Sequence, residues 1–210
     1  MALPLKKREP PSTEVASRLL PMLLGESALS TDRHLRILDF GRANRRSLSF
    51  FSAVPCRLQV LDASDALIAS ARDMRARTDE EDAPEPTADT FAALFPEISG
   101  QRFDLVLTWD MVNLVPARGL PAFFDFIHRH GGDGFRGHGF MLHKRSVESA
   151  VRHMGIINAE TLQVMETEPV SLYLHTRKYV NDCMHPMAID HGVLHSDGRA
   201  EFLFRAPALS

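Results

Sequence analysis

Polar side chains follow three short apolar runs of the sequence, at positions where they could take part in chemistry. The run LRILDF at positions 35–40 leads into the segment from Asp39 to Ala43, which contains a glycine turn. Asp62 closes a second run, and the residues from Trp109 to Asn113 close a third, FDLVLTW at positions 103–109. Carboxylates bind polar ligands and can act as general bases, and an indole ring provides a flat apolar wall. These run-end residues are the candidate functional residues of the chain.

The elements that must position these residues alternate along the chain. The apolar runs predict strands over 35–40, 58–61 and 103–109. Helical spacing and capping residues predict helices over 13–24, 45–54, 63–77 and 120–130, with a short helix or turn at 91–95. Alternating strands and helices favour a mostly parallel sheet with helices on both faces. Ligands of such sheets bind beyond the carboxyl ends of the strands, where the candidate residues would meet.

The second half of the chain predicts a different arrangement. A strand is expected at 139–143, a helix at 171–183, and an antiparallel hairpin of strands at 188–195 and 200–205. The hairpin prediction depends on Asp197-Gly198, a strong turn signal between two strand patterns. Five of the 12 glycines lie at 131–139, which predicts a mobile connection that could act as a lid.

Composition sets the class of protein. The 210 residues, 44% hydrophobic and 24% charged, predict one globular domain at 31–210 after an N-terminal tail and helix at 1–30. Segment 73–90, charged and with two prolines, predicts a flexible acidic loop. A net charge of −3 disfavours a nucleic-acid-binding protein, and no apolar run approaches the roughly 18 residues of a membrane helix. Two cysteines and no signal-peptide pattern predict a cytoplasmic protein, and the ten histidines match no metal-ligand template, so no metal is predicted.

Four segments resemble the class I S-adenosylmethionine-dependent methyltransferases. ILDFGRANRR at 37–46 is similar to their first motif, an acidic residue before a glycine-rich turn, and VLDAS at 60–64 to their second-strand motif. FDLVLTWDMVNLVP at 103–116 is similar to the fourth-strand motif, and the end of the chain, AEFLFRA, to the last two strands. The resemblance spans about residues 30–206 and is closest to a bacterial branch of small, divergent methyltransferase-like proteins. It implies an α/β, Rossmann-like methyltransferase fold, whose doubly wound sheet is mostly parallel and ends in an antiparallel hairpin.

The resemblance also implies a cofactor site and a reaction. The cofactor would be S-adenosylmethionine, and the acceptor of its methyl group an unknown small molecule or protein. The cofactor-binding residues implied are Asp39, Gly41, Ala43, Asp62 and Trp109. A carboxylate after the second strand can accept both hydrogen bonds of a ribose diol, and Asp62 follows Gly41 by 21 positions, near the roughly 20 typical of such sites. The alternative is that both aspartates only cap turns or helices.

The residues after the third run are the catalytic candidates. Asp110 and Asn113 lie where the family places substrate-contacting groups, and Asp110 could act as a general base. The alternative is that Trp109 belongs to the core and Asp110 caps the next helix. Oligomeric state has no signal in the sequence.

The glycine motif departs from the family pattern. Ala43 and Arg45 replace its second and third glycines, and an inward-pointing Arg45 would occupy cofactor space and repel a sulfonium. This departure supports an alternative function, a catalytically inactive methyltransferase-like module that binds or scaffolds a partner. Arg42, Arg45 and Arg46 cluster near a helix N-terminus. They either face solvent or pair with nearby carboxylates, or they bind a phosphate, a nucleotide or an acidic partner.

Overall fold

A computed structural model describes residues 13–25, 29, 34–77, 84–144 and 150–207. The strands are β1 (Thr13–Ala16), β2 (Leu35–Asp39), β3 (Cys56–Val60), β4 (Phe103–Trp109), β5 (Gly131–Leu142), β6 (Ala150–Asn158), β7 (Thr161–Pro169), β8 (Ala188–Leu194) and β9 (Arg199–Arg205). The α-helices are α1 (Pro21–Leu24), α2 (Arg45–Phe51), α3 (Ser64–Ala76), α4 (Ala88–Ala92), α5 (Leu120–His130) and α6 (Arg177–Cys183). Short 3-10 helices occupy Pro96–Ile98, Met111–Leu114 and Ala117–Gly119. Within these ranges no helix has the length and apolar character needed to cross a bilayer.

The main sheet has six strands in the order β3-β2-β4-β5-β9-β8. The first four are parallel, and β9 and β8 run antiparallel to their neighbours. In this register Asp39 lies opposite Val60 of β3 and Leu107 of β4. The predicted fold class is confirmed: a mostly parallel, Rossmann-like sheet ends in an antiparallel hairpin.

The two faces of the sheet bury different side chains because successive residues of a strand point to opposite sides. Leu38 packs into a phenylalanine-rich cluster under α3, α4 and α5. In that cluster the Phe40 ring makes edge contacts with Phe123 and Phe126 at centroid distances of 5.7 and 6.4 Å. Ile37 packs on the other face, with residues of α1, α2 and β6. Helices therefore cover the main sheet on one face, and helices together with a second sheet cover the other.

The second sheet has three antiparallel strands in the order β1-β7-β6. The sequence patterns predicted neither strand of the β6–β7 hairpin. The helix predicted over 13–24 is wrong, because Val15 lies in a strand opposite Leu162 of β7 and only Pro21–Leu24 is helical. Proline suits the first turn of a helix and not its interior, so Pro21 begins the helix here.

The glycine-rich segment at 131–139 is a strand, and the predicted mobile connection and lid are wrong. β5 lies between β4 and β9 inside the main sheet. A Cβ atom on Gly137 would lie 2.0 Å from Cζ of Phe204, and one on Gly139 would lie 2.3 Å from Oγ1 of Thr108. These glycines allow close approach of neighbouring side chains, which is a common reason for glycine inside a strand.

Two other boundaries differ from the sequence prediction. The helix expected at 171–183 begins only at Arg177, after Thr176, whose hydroxyl accepts a hydrogen bond from the Tyr179 backbone N–H. Of the loop expected at 73–90, residues 73–76 complete α3 and residues 88–90 begin α4. Residues 78–83 of that loop, and the tail at 1–12, lie outside the described residues.

Candidate functional site

The loops after β2 and β3 are joined by backbone hydrogen bonds beyond the ends of their strands. The N–H of Leu61 donates to the carbonyl of Asp39 at 2.9 Å, and the N–H of Asp62 donates to the carbonyl of Gly41 at 3.1 Å. The N–H of Ala63 donates to the carbonyl of Phe40 at 3.0 Å. Asp62 is therefore fixed beside the glycine turn, as its place at a strand end predicted.

Two of the candidate residues have backbones in the left-handed region. Asp62 and Trp109 both have φ of +49°, and both follow or end a parallel strand. Such a conformation costs a non-glycine residue on the order of 1–3 kcal/mol and concentrates at functional sites. Aspartate tolerates it better than most residues, whereas a bulky tryptophan does so rarely. This edge of the sheet therefore holds backbone strain on both sides of β2, after β3 and at the end of β4.

Asp39 is buried at the centre of this edge. Its Oδ1 accepts hydrogen bonds from the Gly41 N–H at 2.8 Å and from Nε1 of Trp109 at 2.5 Å. Burial raises the pKa of Asp39 to about 6, although both hydrogen bonds act in the opposite direction. Asp39 thus holds the glycine turn and the indole together.

The Trp109 indole occupies the space beside Gly41. A Cβ atom at position 41 would lie 2.9 Å from Nε1 and 3.0 Å from Cδ1 of that ring. Trp109 is only 1% exposed and belongs to the core on the α2 side of the sheet. The opening that a glycine leaves at this turn is therefore filled by a side chain of the same molecule.

Arg42 reaches over the same edge and contacts four carboxylates, which together we call the Arg42 cluster. Its guanidinium lies 3.3 Å from Asp62, 3.8 Å from Asp65, 3.1 Å from Glu166 and 3.3 Å from Glu168. The two glutamates come from β7, so the cluster joins the second sheet to the predicted cofactor loop. The expectation that these arginines pair with acids is met at Arg42, whose side chain is 30% exposed.

The start of α2 is also covered by the second sheet. The Asn44 side chain caps the helix by accepting from the Ser47 N–H at 2.9 Å, and it donates to the Met154 carbonyl of β6 at 2.9 Å. Nε of Arg46 donates to Gln163 of β7 at 2.9 Å. Ala43 and Arg45 are exposed, so the Arg45 side chain faces solvent and fills no buried part of this edge.

Asp110 lies in a buried ion pair. Its Oδ2 accepts from Nε of Arg152 at 2.8 Å, and its Oδ1 accepts from the terminal nitrogen of the same guanidinium at 2.9 Å. Nε of Arg199 lies 3.7 Å from Oδ2, and Arg152 also contacts Asp197 at 3.2 Å. Both carboxylate oxygens are therefore engaged by arginine.

Asn113 connects the ends of β4 and β5. Its amide nitrogen donates to the carbonyls of Asp110 at 3.0 Å and Phe140 at 3.2 Å, and its amide oxygen accepts from the Leu142 N–H at 2.8 Å. The structure thus brings Asp39, Gly41, Asp62 and Trp109 into one cluster. It places Asp110 and Asn113 in a neighbouring buried network.

Sequence reasoning missed the residues that the second sheet brings to this edge. His153 of β6 is 3% exposed, and its Nε2 lies 3.4 Å from Glu168. Its Nδ1 has no hydrogen-bond partner among the described residues. Glu166 and Glu168 are two positions apart and so share one face of a strand, a pattern that could have indicated them. Within the described ranges, no group of three or more histidine, cysteine or acidic side chains is placed to hold a metal ion.

A third buried carboxylate, that of Glu201, lies away from this edge. Glu201 of β9 accepts from Nε2 of His138 and of His195, each at 2.8 Å, and from the Ser17 hydroxyl. The N–H groups of Arg18 and Leu19 donate to it at 3.0 and 3.2 Å. Burial alone would raise the pKa of Glu201, but the contacts with His138 and the other donors outweigh it and hold that pKa well below its usual value.

Comparison with known proteins gives matches in structure and none in sequence. No protein-family model and no curated protein matches the chain. Magnesium protoporphyrin IX methyltransferase from Synechocystis PCC 6803, solved with bound S-adenosylhomocysteine, gives a TM-score of 0.54 at 13% identity, covering 90% of this chain and 80% of that chain. An S-adenosylmethionine-dependent methyltransferase from Clostridium acetobutylicum ATCC 824 gives 0.51 at 10% identity, covering 82% and 84%. At these identities the likeness concerns the fold.

Proposed function

Since the chain has the class I methyltransferase fold, we propose that it binds S-adenosylmethionine at the carboxyl edge of β2 and β3 and transfers a methyl group to an acceptor. The observation that carries the proposal is the pair of aspartates held on either side of Gly41. Asp39 is buried and shapes the turn, whereas Asp62 leaves 58% of its side chain exposed. An exposed carboxylate fixed beside a glycine turn suits a ribose diol.

Each residue of the edge has a role in this proposal. Asp62 accepts the ribose hydroxyls, Asp39 holds the turn on which the cationic methionine end lies, and the buried Trp109 indole supports that turn through its hydrogen bond to Asp39. Ala43 lies exposed on the same turn, and its contact with the cofactor stays a prediction. The contacts of Asp110 and Asn113 favour positioning roles, because the Asn113 amide joins the ends of β4 and β5 and the Asp110 carboxylate is held by Arg152 of β6. When bound, S-adenosylmethionine supplies an electrophilic methyl group.

The residues fit this cofactor provided that Arg42 leaves Asp62. The Arg42 pairs are partly exposed, and such pairs exchange at little cost in free energy. Once released, the Arg42 guanidinium can pair with the methionine carboxylate. The Synechocystis neighbour is named for a small-molecule acceptor, magnesium protoporphyrin IX, and we expect a small-molecule acceptor here as well.

Calorimetric titration with S-adenosylmethionine and S-adenosylhomocysteine tests the proposal. We expect saturable heat with the wild-type protein and an affinity about tenfold or more lower in Asp62→Asn, because the diol loses a charged acceptor. Asparagine is the matched replacement, since it also tolerates the left-handed backbone of this position. Asp89→Asn removes a carboxylate that is 84% exposed on α4 and serves as the control.

A second candidate function is a methyltransferase-like module that binds a partner without catalysis. The observation that favours it is the Trp109 indole beside Gly41, together with Arg42 on Asp62, since both occupy space that the cofactor needs. This candidate predicts no heat at millimolar cofactor with either the wild-type protein or Arg42→Gln, both remaining folded. Binding that appears only in Arg42→Gln would instead assign the closure of the site to Arg42 alone.

A further inference from the structure

A cavity of about 520 Å³ opens beside the proposed cofactor edge. It lies between α3, the 3-10 helix at Met111–Leu114 and the segment that follows β7. Its volume is within the range of roughly 300–1,000 Å³ that is typical of small-molecule sites. None of the residues assigned above to cofactor binding lines this cavity.

Two arginines form the charged part of its wall. Arg72 and Arg75 are three positions apart on α3, so their side chains share one face of the helix. Both are exposed, and neither forms an ion pair with a carboxylate in the described part of the chain. Asp73 of the same helix pairs instead with Arg77, at 3.2 Å. Among the residues that the structure describes, the wall of the cavity therefore presents two guanidinium groups and no acidic side chain.

The rest of the wall is apolar or carries hydroxyl groups. Ile68 and Leu114 contribute apolar surface, and Ser171 and Tyr173 have hydroxyl groups. The backbone N–H of Tyr173 donates to the Asn113 carbonyl at 2.7 Å, which fixes this segment over the 3-10 helix. A wall that combines apolar surface with polar groups from α3 and from the segment after β7 suits a ligand with an apolar body and a polar end.

The cavity lies beside the Arg42 cluster, because two of its lining residues follow members of the cluster along α3 and β7. Asp65 of α3 and Glu168 of β7 both contact Arg42, and Ile68 and Pro169 line the cavity one helical turn or one residue further on. A ligand in the cavity would therefore lie next to the edge at which we place the cofactor.

We propose that this cavity binds an apolar small molecule through a carboxylate or phosphate group held by Arg72 and Arg75, and that this molecule is the methyl acceptor. Planar guanidinium groups recognise both oxyanions with paired hydrogen bonds. The acceptor role rests on the proposed function, whereas anion binding by the cavity does not.

Calorimetric titration with three naphthalene probes tests the proposal on the full chain. The probes are 1-naphthoate, 1-naphthyl phosphate and the neutral 1-naphthalenemethanol, which share one apolar body. We expect at least one anion to bind about tenfold or more tightly than the alcohol, and to bind less tightly as salt rises. The stronger of the two anions identifies the preferred oxyanion.

Variants locate the binding. In the double variant Arg72→Gln/Arg75→Gln, we expect the affinity for the anionic probe to fall to about that for the alcohol. Arg57 is an exposed arginine on β3, and we expect Arg57→Gln to leave the affinity for the anionic probe unchanged. The proposal would be overturned if the anions and the alcohol bind equally tightly, or if no probe gives heat. It would also be overturned if the affinity for the anion falls equally in both variants. The cofactor titration is a separate test. If the cofactor binds and the anionic probes do not, the cavity proposal alone is wrong. If the anionic probes bind and the cofactor does not, the proposed function and the acceptor role are wrong, and anion binding by the cavity stands.

Discussion

Asp39 and Glu201 are both buried carboxylates at the main sheet, and their pKa values move in opposite directions. Asp39 has two neutral donors, the Gly41 N–H and the Trp109 indole, and burial raises its pKa to about 6. Glu201 has five donors, two of them imidazole nitrogens, and its pKa is held well below the usual value. Burial is common to both, so the number and kind of donors decide the direction.

The difference separates a part of the molecule that maintains the fold from a part that can change. Glu201 joins β9 to β5 through His138 and to the N-terminal segment through Ser17. Asp39 lies under an edge with strained backbone at Asp62 and Trp109 and partly exposed ion pairs. We place the proposed ligand site at the edge around Asp39, since low local stability is typical of elements that bind and move.

The largest effect on the stability of the fold is expected from Glu201→Gln. A glutamine has one acceptor oxygen, so several of the five donors lose their partner, at about 1–3 kcal/mol each. We expect a loss of about 3 kcal/mol or more in the free energy of unfolding at pH 7, measured by urea denaturation. Glu97→Gln, at an exposed position, is the control and should change stability by about 0.5 kcal/mol or less. A loss below about 1 kcal/mol in Glu201→Gln would show that its donors do not depend on the charge.

The same variant has a signed pH dependence. Because the folded pKa of Glu201 is lowered, its carboxylate stabilises the fold above the unfolded pKa, near 4.5, and this contribution is lost as the pH falls below that value. The stability gap between wild type and Glu201→Gln should therefore narrow in acid.

The stability difference between Asp39→Asn and the wild type should change with pH in the opposite direction, and it should be smaller than for Glu201→Gln. The raised pKa means that the folded state holds more protons than the unfolded state between about pH 4 and 6, so ionisation of Asp39 lowers stability as the pH rises through this window. The shift from 3.8 to about 6 corresponds to about 3 kcal/mol at most. Asparagine keeps the acceptor oxygen and does not ionise.

Urea denaturation from pH 4 to pH 7 measures this difference. We expect the stability of Asp39→Asn relative to wild type to rise across the interval, with Asp89→Asn as the reference for removing an exposed carboxylate. A relative stability that stays constant with pH would mean that Asp39 ionises as freely in the folded protein as in the unfolded chain.

The positions of residues at strand ends predicted the region around Asp39 and not the region around Glu201. Asp39, Gly41 and Asp62 end buried parallel strands, and parallel pairing brings such ends together whatever lies above them. The partners of Arg42 could not be predicted in this way, because they depend on how a separate antiparallel sheet packs over the loop. Arg45 shows the same limit: the motif identified the substituted glycine, but only the start of α2 determines that its side chain faces solvent.

The prediction of a mobile connection at 131–139 was wrong for a related reason. A glycine-rich segment is typical of a mobile loop when only local preference is considered. Here the rings of Phe135 and Phe204 fill the space that side chains would take, so tertiary packing decides the strand. Glu201 carried no local signal either, since its five donors come from three separate segments of the chain.

The smallest effect on stability is expected from Arg42→Gln, and it tests whether the edge can open. Its carboxylate partners are 34–80% exposed, so the pairs contribute about 1 kcal/mol or less. Salt weakens the attraction in the wild type and also the repulsion among the four carboxylates in the variant, so the stability difference should shrink as salt rises. Hydrogen exchange in β7 should become faster in Arg42→Gln and stay unchanged in Arg45→Gln, whose side chain is exposed. Equal exchange in all three proteins would mean that backbone pairing with β6 and β1, and not the Arg42 cluster, holds the second sheet over the cofactor loop.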